Sequence, residues 1–200
     1  DPNVVDPVVF YDNEGKLWMI YGSYSGGIFV KEMDAETGMP LESGYGEKLL
    51  GGNHLRIEAP YVIYNEETGY YYMFLSFGGL DSDGGYNIRV CRSENPSGPY
   101  VDSMGQDMKD CKGPAGSAFS DATAELYGTK LMGGYKFTWK EGEEGEDRKG
   151  YLSPGHNSCL YQEETVSLLQ DVYHPHRECI PKVQEETLES LLIRNSSKCR

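Results

Sequence analysis

Asp6, Glu58 and His156 stand at matching points of three short segments, and together they offer two carboxyls and an imidazole. Asp6-Pro7-Val8-Val9-Phe10-Tyr11 recurs 52 residues later as Glu58-Ala59-Pro60-Tyr61-Val62-Ile63-Tyr64, and more loosely as Ser153-Pro154-Gly155-His156-Asn157-Ser158. Paired carboxyls suit acid–base work at a polar substrate. One, as the acid, protonates a leaving oxygen, and the other, as carboxylate, activates water or attacks carbon. The donor must hold its proton near neutral pH, which needs burial or a neighbouring negative charge. Glu58 fits that role: Ile57, Ala59 and Pro60 flank it, and the repeat sets the charge of Asp6 beside it. The prolines stiffen the backbone and fix where each side chain points. Taken alone, an Asp-Pro or a Glu-Ala-Pro marks only a turn or the start of a strand, and a lone histidine is more often structural than functional. Repetition is what raises all three. His156 is then placed to hold a hydrated cation or to orient a carboxylate.

These residues need a frame that repeats about every fifty positions. After each of the first two segments comes a polar turn, Asp12-Asn13-Glu14-Gly15 or Asn65-Glu66-Glu67-Thr68-Gly69, and then a β-rich run. Strand–turn–strand units at this period are the sequence form of β-propeller blades, whose equivalent positions share a radius. Asp6, Glu58 and His156 are therefore expected on one central axis. Strands are expected over Val4–Tyr11, Leu17–Tyr21, Ile28–Met33, Tyr61–Tyr64, Tyr70–Phe77, Asn87–Arg92 and Lys130–Phe137. Residues 34–57 read as a polar excursion, Cys111–Asp121 as loop, and 141–147 as an exposed acidic loop.

The net charge of −14 argues against a nucleic-acid partner, which demands a basic footprint, and otherwise serves solubility. No apolar run is long enough to span a membrane. The 16 tyrosines, against 6 Phe and 2 Trp, suit half-exposed sheets and secondarily the stacking of sugars. Cys91, Cys111, Cys159, Cys179 and Cys199 show no metal or disulfide spacing and read as free thiols, with Cys91–Cys111 the one local pairing left open. The span opens on Asp1-Pro2-Asn3 without an initiator Met or a signal peptide, and reads as an internal piece holding about three blades.

Beyond residue 165 the texture changes. The third unit should continue past Tyr161-Gln162-Glu163-Glu164-Thr165 into a glycine and an aromatic strand, and Val166-Ser167-Leu168-Leu169-Gln170 does not supply them. Residues 166–200 are read as a divergent or frame-shifted tail, with Glu185–Leu192 as a short amphipathic helix. No function is assigned there, neither to the His174/His176 pair nor to the sequon at Asn195.

Over residues 1–165 the chain resembles the arabinanases of glycoside hydrolase family 43. The resemblance rests on Asn3-Val4-Val5-Asp6-Pro7, Tyr21-Gly22-Ser23-Tyr24-Ser25-Gly26-Gly27-Ile28, Leu49-Leu50-Gly51-Gly52-Asn53-His54, Arg56-Ile57-Glu58-Ala59-Pro60, Ser76-Phe77-Gly78-Gly79 and Ser153-Pro154-Gly155-His156-Asn157-Ser158. It implies an all-β, five-bladed propeller and inverting hydrolysis of α-1,5-L-arabinan from plant cell walls. Glu58 would be the general acid, and Asp6 the residue that tunes and orients it. Asn3, Asp6, Gly22, Ser23 and Tyr24 would line sugar subsites, and His156 would match the axial histidine near a central calcium. The family's general base is an aspartate on a blade N-terminal to this span, so the span alone is expected to be inactive. The parent is expected outside the cell or in the periplasm.

Three other readings compete. A β-xylosidase or α-L-arabinofuranosidase of the same family is disfavoured by the Gly51-Gly52-Asn53-His54 and Ser76-Phe77-Gly78-Gly79 motifs. A non-catalytic carbohydrate-binding propeller has no need of carboxyls at positions 6 and 58. A kelch-type interaction propeller has no reason to vary from Asp to Glu to His on its axis.

Overall fold

The computed structural model describes residues 1–82, 85–116, 121, 124–134, 141–142 and 152–160, and the backbone of 161–162, 165–173 and 182–186. These residues form three antiparallel sheets. The first joins β1 (Val8–Tyr11), β2 (Leu17–Ser23), β3 (Gly27–Met33) and β4 (Glu47–Leu50) in chain order. The second repeats the pattern with β5 (Ile57–Asn65), β6 (Tyr70–Phe77), β7 (Asn87–Ser93) and β8 (Thr129–Met132). The third runs β9 (Leu152–Gln162), β10 (Thr165–Tyr173) and β11 (Lys182–Glu186). The only helices among the described residues are two 3-10 turns, Met108–Asp110 and Ala124–Leu126.

Each hairpin is set by its turn. The Asp12 carboxylate accepts from the backbone of Glu14 and Lys16, and Gly15 takes the positive φ that closes the β1–β2 connection. Asn65 does the same for β5–β6 by accepting from the Thr68 amide, with Gly69 at φ 72°. Both turns fall where the sequence places them.

Core packing follows the two-residue period of a strand. On β6, Tyr71, Met73, Leu75 and Phe77 pack toward the first sheet, with Ile20, Ile28, Val30 and Leu50. Tyr72 and Phe74, on the opposite face, join Ile88, Val90 and Cys159 on the side of the third sheet. A strand buried on both faces reads as an unbroken aromatic run rather than an alternation. Burial of each such side chain is worth roughly 1.5–3 kcal/mol, so this strand ties the three sheets together.

Several expectations are corrected. Residues 34–57 contain a fourth strand, β4, whose pairing of Leu50 with Ile28 buries two leucines that the polar surroundings disguise. β5 is longer than expected because it begins at Ile57 and puts Glu58 inside the strand. β8 begins at Thr129 and ends at Met132, so Gly133 and Gly134 fall beyond it, and positions 135–137 of the expected strand lie outside the described residues. Val166–Gln170 lies within a strand, β10, that pairs with both β9 and β11. Glu185 and Glu186 belong to β11 rather than to a helix. Residues 187–192, His174, His176, Asn195, Cys179, Cys199 and most of the acidic loop lie outside the described residues. Cys91 and Cys111 are buried and unbonded to each other, as is Cys159.

Candidate active site

The leading strands β1, β5 and β9 are edge strands of the three sheets, and they contact one another in turn, β1 with β5 and β5 with β9. Asp6 lies just before β1, Glu58 is the second residue of β5, and His156 is the fifth of β9. The three sequence-predicted residues thus sit at or near the start of three edge strands that contact one another in turn.

Backbone geometry refines their alignment. Asp6, Ala59 and Ser153 each precede a proline and each hold a positive φ, at 53°, 51° and 52°. Residues with side chains rarely adopt this region, and the preceding position of proline ordinarily favours extended backbone. Equivalence therefore runs Asp6–Ala59–Ser153, with Glu58 one residue earlier and His156 three residues later. A bulge in β5 between Glu58 and Tyr61 absorbs the extra residue. Strain recurring at one place in three blades is the sort that functional sites retain.

Glu58 is half-buried, and both its oxygens are held. Ser23 Oγ, on the last residue of β2, donates to Oε2 at 2.9 Å, and the Tyr86 hydroxyl donates to Oε1 at 2.6 Å. Asp6 Oδ2 accepts the backbone N–H of Ala59, the next residue, at 3.1 Å. Ser76, paired across β5–β6 with Glu58, hydrogen-bonds Tyr86 and accepts the backbone N–H of His156 at 2.8 Å. Ser23, Ser76 and Tyr86 are buried, whereas the ring of His156 belongs to an exposed residue.

A tyrosine layer and an ion pair border the acid. The Tyr24 hydroxyl donates to the Gly78 carbonyl at 2.6 Å, and the Asn3 amide donates to the Tyr24 carbonyl at 3.0 Å. Burial, and then the charge of Glu58, push the hydroxyl of Tyr24 well above its ordinary pKa. Tyr86 is raised for the same first reason, with its hydrogen bond to Glu58 adding to it. Arg56 grips Asp121 through Nε, at 3.1 and 3.0 Å, and through a second guanidinium nitrogen. Those hydrogen bonds raise the Arg56 pKa further. Gly22 is required where it is, since a Cβ there would fall 2.2 Å from the Gly27 carbonyl oxygen.

Tyr86, Ser76 as a partner, and the Arg56–Asp121 pair were not singled out as site residues from sequence. Tyr86 lies outside the repeat, in the β6–β7 connection, and nothing in its neighbours marks it. A groove of about 580 Å³ lies on the first sheet, lined by Trp18, Lys31, Glu42 and Tyr45 among others, but no residue of the Glu58 network lines it.

Toward calcium, the described residues offer little. His156 supplies one exposed imidazole, and its neighbour Asn157 has a buried Oδ1 without a hydrogen-bond partner. No group of three or more His, Cys, Asp or Glu able to hold a metal ion occurs among the described residues. Calcium takes six to eight oxygens, so these residues do not by themselves fit it, and no chemical step below runs through a metal.

A family model, "Glycosyl hydrolases family 43", matches residues 1–130. An extracellular endo-α-(1→5)-L-arabinanase of Bacillus subtilis is 60% identical over 165 residues, which is 82% of this chain and 34% of that protein. Among solved structures, a family 43 glycoside hydrolase of Bacillus licheniformis superposes with a TM-score of 0.82 at 52% identity, covering 94% of this chain and 41% of that one. The endo-1,5-α-L-arabinanase of Thermotoga petrophila gives 0.79 at 44% identity, covering 93% and 40%. The chain spans about a third of the length of these curated arabinanase relatives. The expected all-β propeller architecture is the observed one.

Proposed function

Since the chain belongs to glycosyl hydrolase family 43, we propose that it is part of a secreted endo-arabinanase that cleaves α-1,5-linked L-arabinan with inversion, using Glu58 as general acid. The observation that carries this reading is the hold on Glu58: a half-buried carboxyl at the head of a leading strand, fixed at both oxygens and flanked by the Asp6–Ala59 tie. A surface glutamate has no such frame. The names of the relatives supply the substrate class and the extracellular location.

In this reading the Glu58 proton passes to the glycosidic oxygen as the bond from that oxygen to the anomeric carbon breaks. Water attacks that carbon from the opposite face and gives up a proton to a second carboxylate, and Glu58 is left ionised. Inverting pairs stand about 6.5–9.5 Å apart to admit the water. We assign the second carboxylate to a part of the enzyme outside residues 1–200. Asp6 orients Glu58 through the Ala59 amide and adds negative charge beside it. Subsites along Asn3, Gly22 and Tyr24 are supported by their position next to Ser23, which touches the acid.

The test uses the enzyme that carries the rest of the propeller, assayed on debranched arabinan with the anomer of the first product read by NMR. Glu58→Gln keeps the shape without the proton and is expected to lower kcat by ~10²–10⁴-fold with KM nearly unchanged. An aryl arabinoside with a good leaving group should lose far less. Equal losses on both substrates, or a retained anomer, would overturn the assignment.

A further inference from the structure

The contacts around Glu58 have a direction. At one end is the backbone N–H of His156, which can only donate. It gives its hydrogen to Ser76 Oγ, Ser76 is hydrogen-bonded to Tyr86, and Tyr86 donates to Oε1 of Glu58. At the other end, an ionised carboxylate can only accept. With a pure donor at one end and a pure acceptor at the other, the hydroxyls of Ser76 and Tyr86 are both turned toward Glu58. Ser76 is 0% exposed and Tyr86 2%, so water does not compete for either link. Chains of hydrogen bonds in such surroundings reinforce one another.

The two oxygens of Glu58 are held by different kinds of partner. Burial and the adjoining carboxylate raise the pKa of Tyr86, so its hydroxyl stays protonated and remains a donor at any working pH. Oε1 therefore meets a permanent donor. Ser23, on Oε2, is an ordinary hydroxyl that can donate or accept as it rotates. We infer that Tyr86 is a positioning residue for the acid: backed by Ser76 and the His156 amide, it keeps Oε1 of Glu58 an acceptor and assigns the transferable proton to Oε2. The proposal rests on Glu58 being the acid. It also gives the third sheet a part in the chemistry, because the β9 backbone anchors the relay.

Tyr86→Phe in the complete enzyme tests this, since Phe keeps the ring and removes the hydroxyl that links Ser76 to Glu58. On linked arabinan kcat should fall about 10- to 100-fold, the worth of a hydrogen bond to a charged group, with KM within about twofold. The alkaline limb of the pH–rate profile should move upward, because a donor that favours the ionised carboxylate is gone. An aryl arabinoside with a good leaving group should be affected less, and Ser76→Ala should act in the same direction but more weakly. A wild-type pH profile in Tyr86→Phe, or equal losses on both substrates, would reduce Tyr86 to a packing residue and overturn the proposal. Should the wild-type enzyme not cleave arabinan, the substrate reading falls, and titration of ¹³C-labelled Glu58 still decides the positioning. A midpoint raised by Tyr86→Phe upholds the relay, and an unchanged midpoint overturns it.

Discussion

Asp6 and Ala59 occupy the same place in successive blades, and the Asp6 carboxylate accepts the Ala59 N–H at 3.1 Å. The tie joins two backbones held at matching positive φ, each before a proline. Ala59 is 4% exposed, so no water stands ready to take over if the carboxylate is lost. Asp and Asn tolerate this left-handed conformation better than Ala does.

Asp6→Ala is accordingly expected to destabilise the protein by about 1–3 kcal/mol, the cost of a buried unsatisfied amide plus backbone strain. Asp6→Asn keeps an acceptor oxygen and the φ preference, and should stay within about 1 kcal/mol of wild type. Urea melts read both. The Asn variant separates charge from shape: with a negative charge removed beside Glu58, ionisation of the acid is eased, and the alkaline limb of activity should move down. That is the opposite direction to Tyr86→Phe. Limbs moving the same way in both variants would contradict the two roles assigned here.

Gly155 is a second checkpoint on the acid. A Cβ at this position would lie 1.8 Å from Tyr86 Cε1, so the ring that holds Glu58 fills the space the glycine leaves. Gly155→Ala should displace the ring, cost about 1–3 kcal/mol through overpacking, and lower activity at least as far as Tyr86→Phe does. Adding Tyr86→Ala removes the clash, so the stability losses should not add. Additive losses in the double variant would mean that the two side chains do not compete for the same space.

Much of this architecture is legible in the sequence because it follows short-range rules. Gly15 and Gly69 close turns, and the X-Pro pairs at 6–7, 59–60 and 153–154 mark the heads of the leading strands. The 52-residue offset still placed Asp6 opposite Glu58 rather than Ala59, because a bulge changes the count without changing the residues' character. β4 was hidden because two of its four residues face solvent. Tyr86 escaped notice for a different reason. Among sixteen tyrosines its composition says nothing, and only the folding of the β6–β7 connection brings it to Glu58. Contacts between distant segments leave no local trace.

Three buried thiols give the protein an alkaline weakness. Burial pushes Cys111 and Cys159 up to about 12 from an ordinary 9.0, and raises Cys91 as well. The folded state keeps these protons while the unfolded chain loses them. Their contribution is therefore complete below pH 9 and declines as pH rises from 9 toward 12. The slope reaches about 1.4 kcal/mol per pH unit for each thiol. Urea midpoints at alkaline pH should fall more steeply for wild type than for a variant with Ala at the three positions. Parallel slopes would show that the thiols titrate alike in both states.

The span of residues 1–165, expressed alone, should hydrolyse arabinan at least ~10³-fold more slowly than the complete enzyme, because among the described residues the acid has no partner of the right kind. The carboxylates near Glu58 have other work. Asp6 is bound to the Ala59 amide, and Asp121 is held in two-point contact by Arg56. Neither is free to take a proton from water on the far face of the sugar. The leading strand β1 also exposes Val9 at 54% and Tyr11 at 59%, an apolar surface that should make the isolated span self-associate. Sedimentation of the short form and an assay of both forms on debranched arabinan read these two expectations separately. Addition of azide tests the diagnosis, since an external anion can attack without a general base and should restore turnover on an aryl arabinoside while Glu58 remains intact. Full turnover by the short form, without azide, would mean that a carboxylate within residues 1–165 serves as the base, with Asp81, exposed beside Arg56 and Gly79, the first to replace.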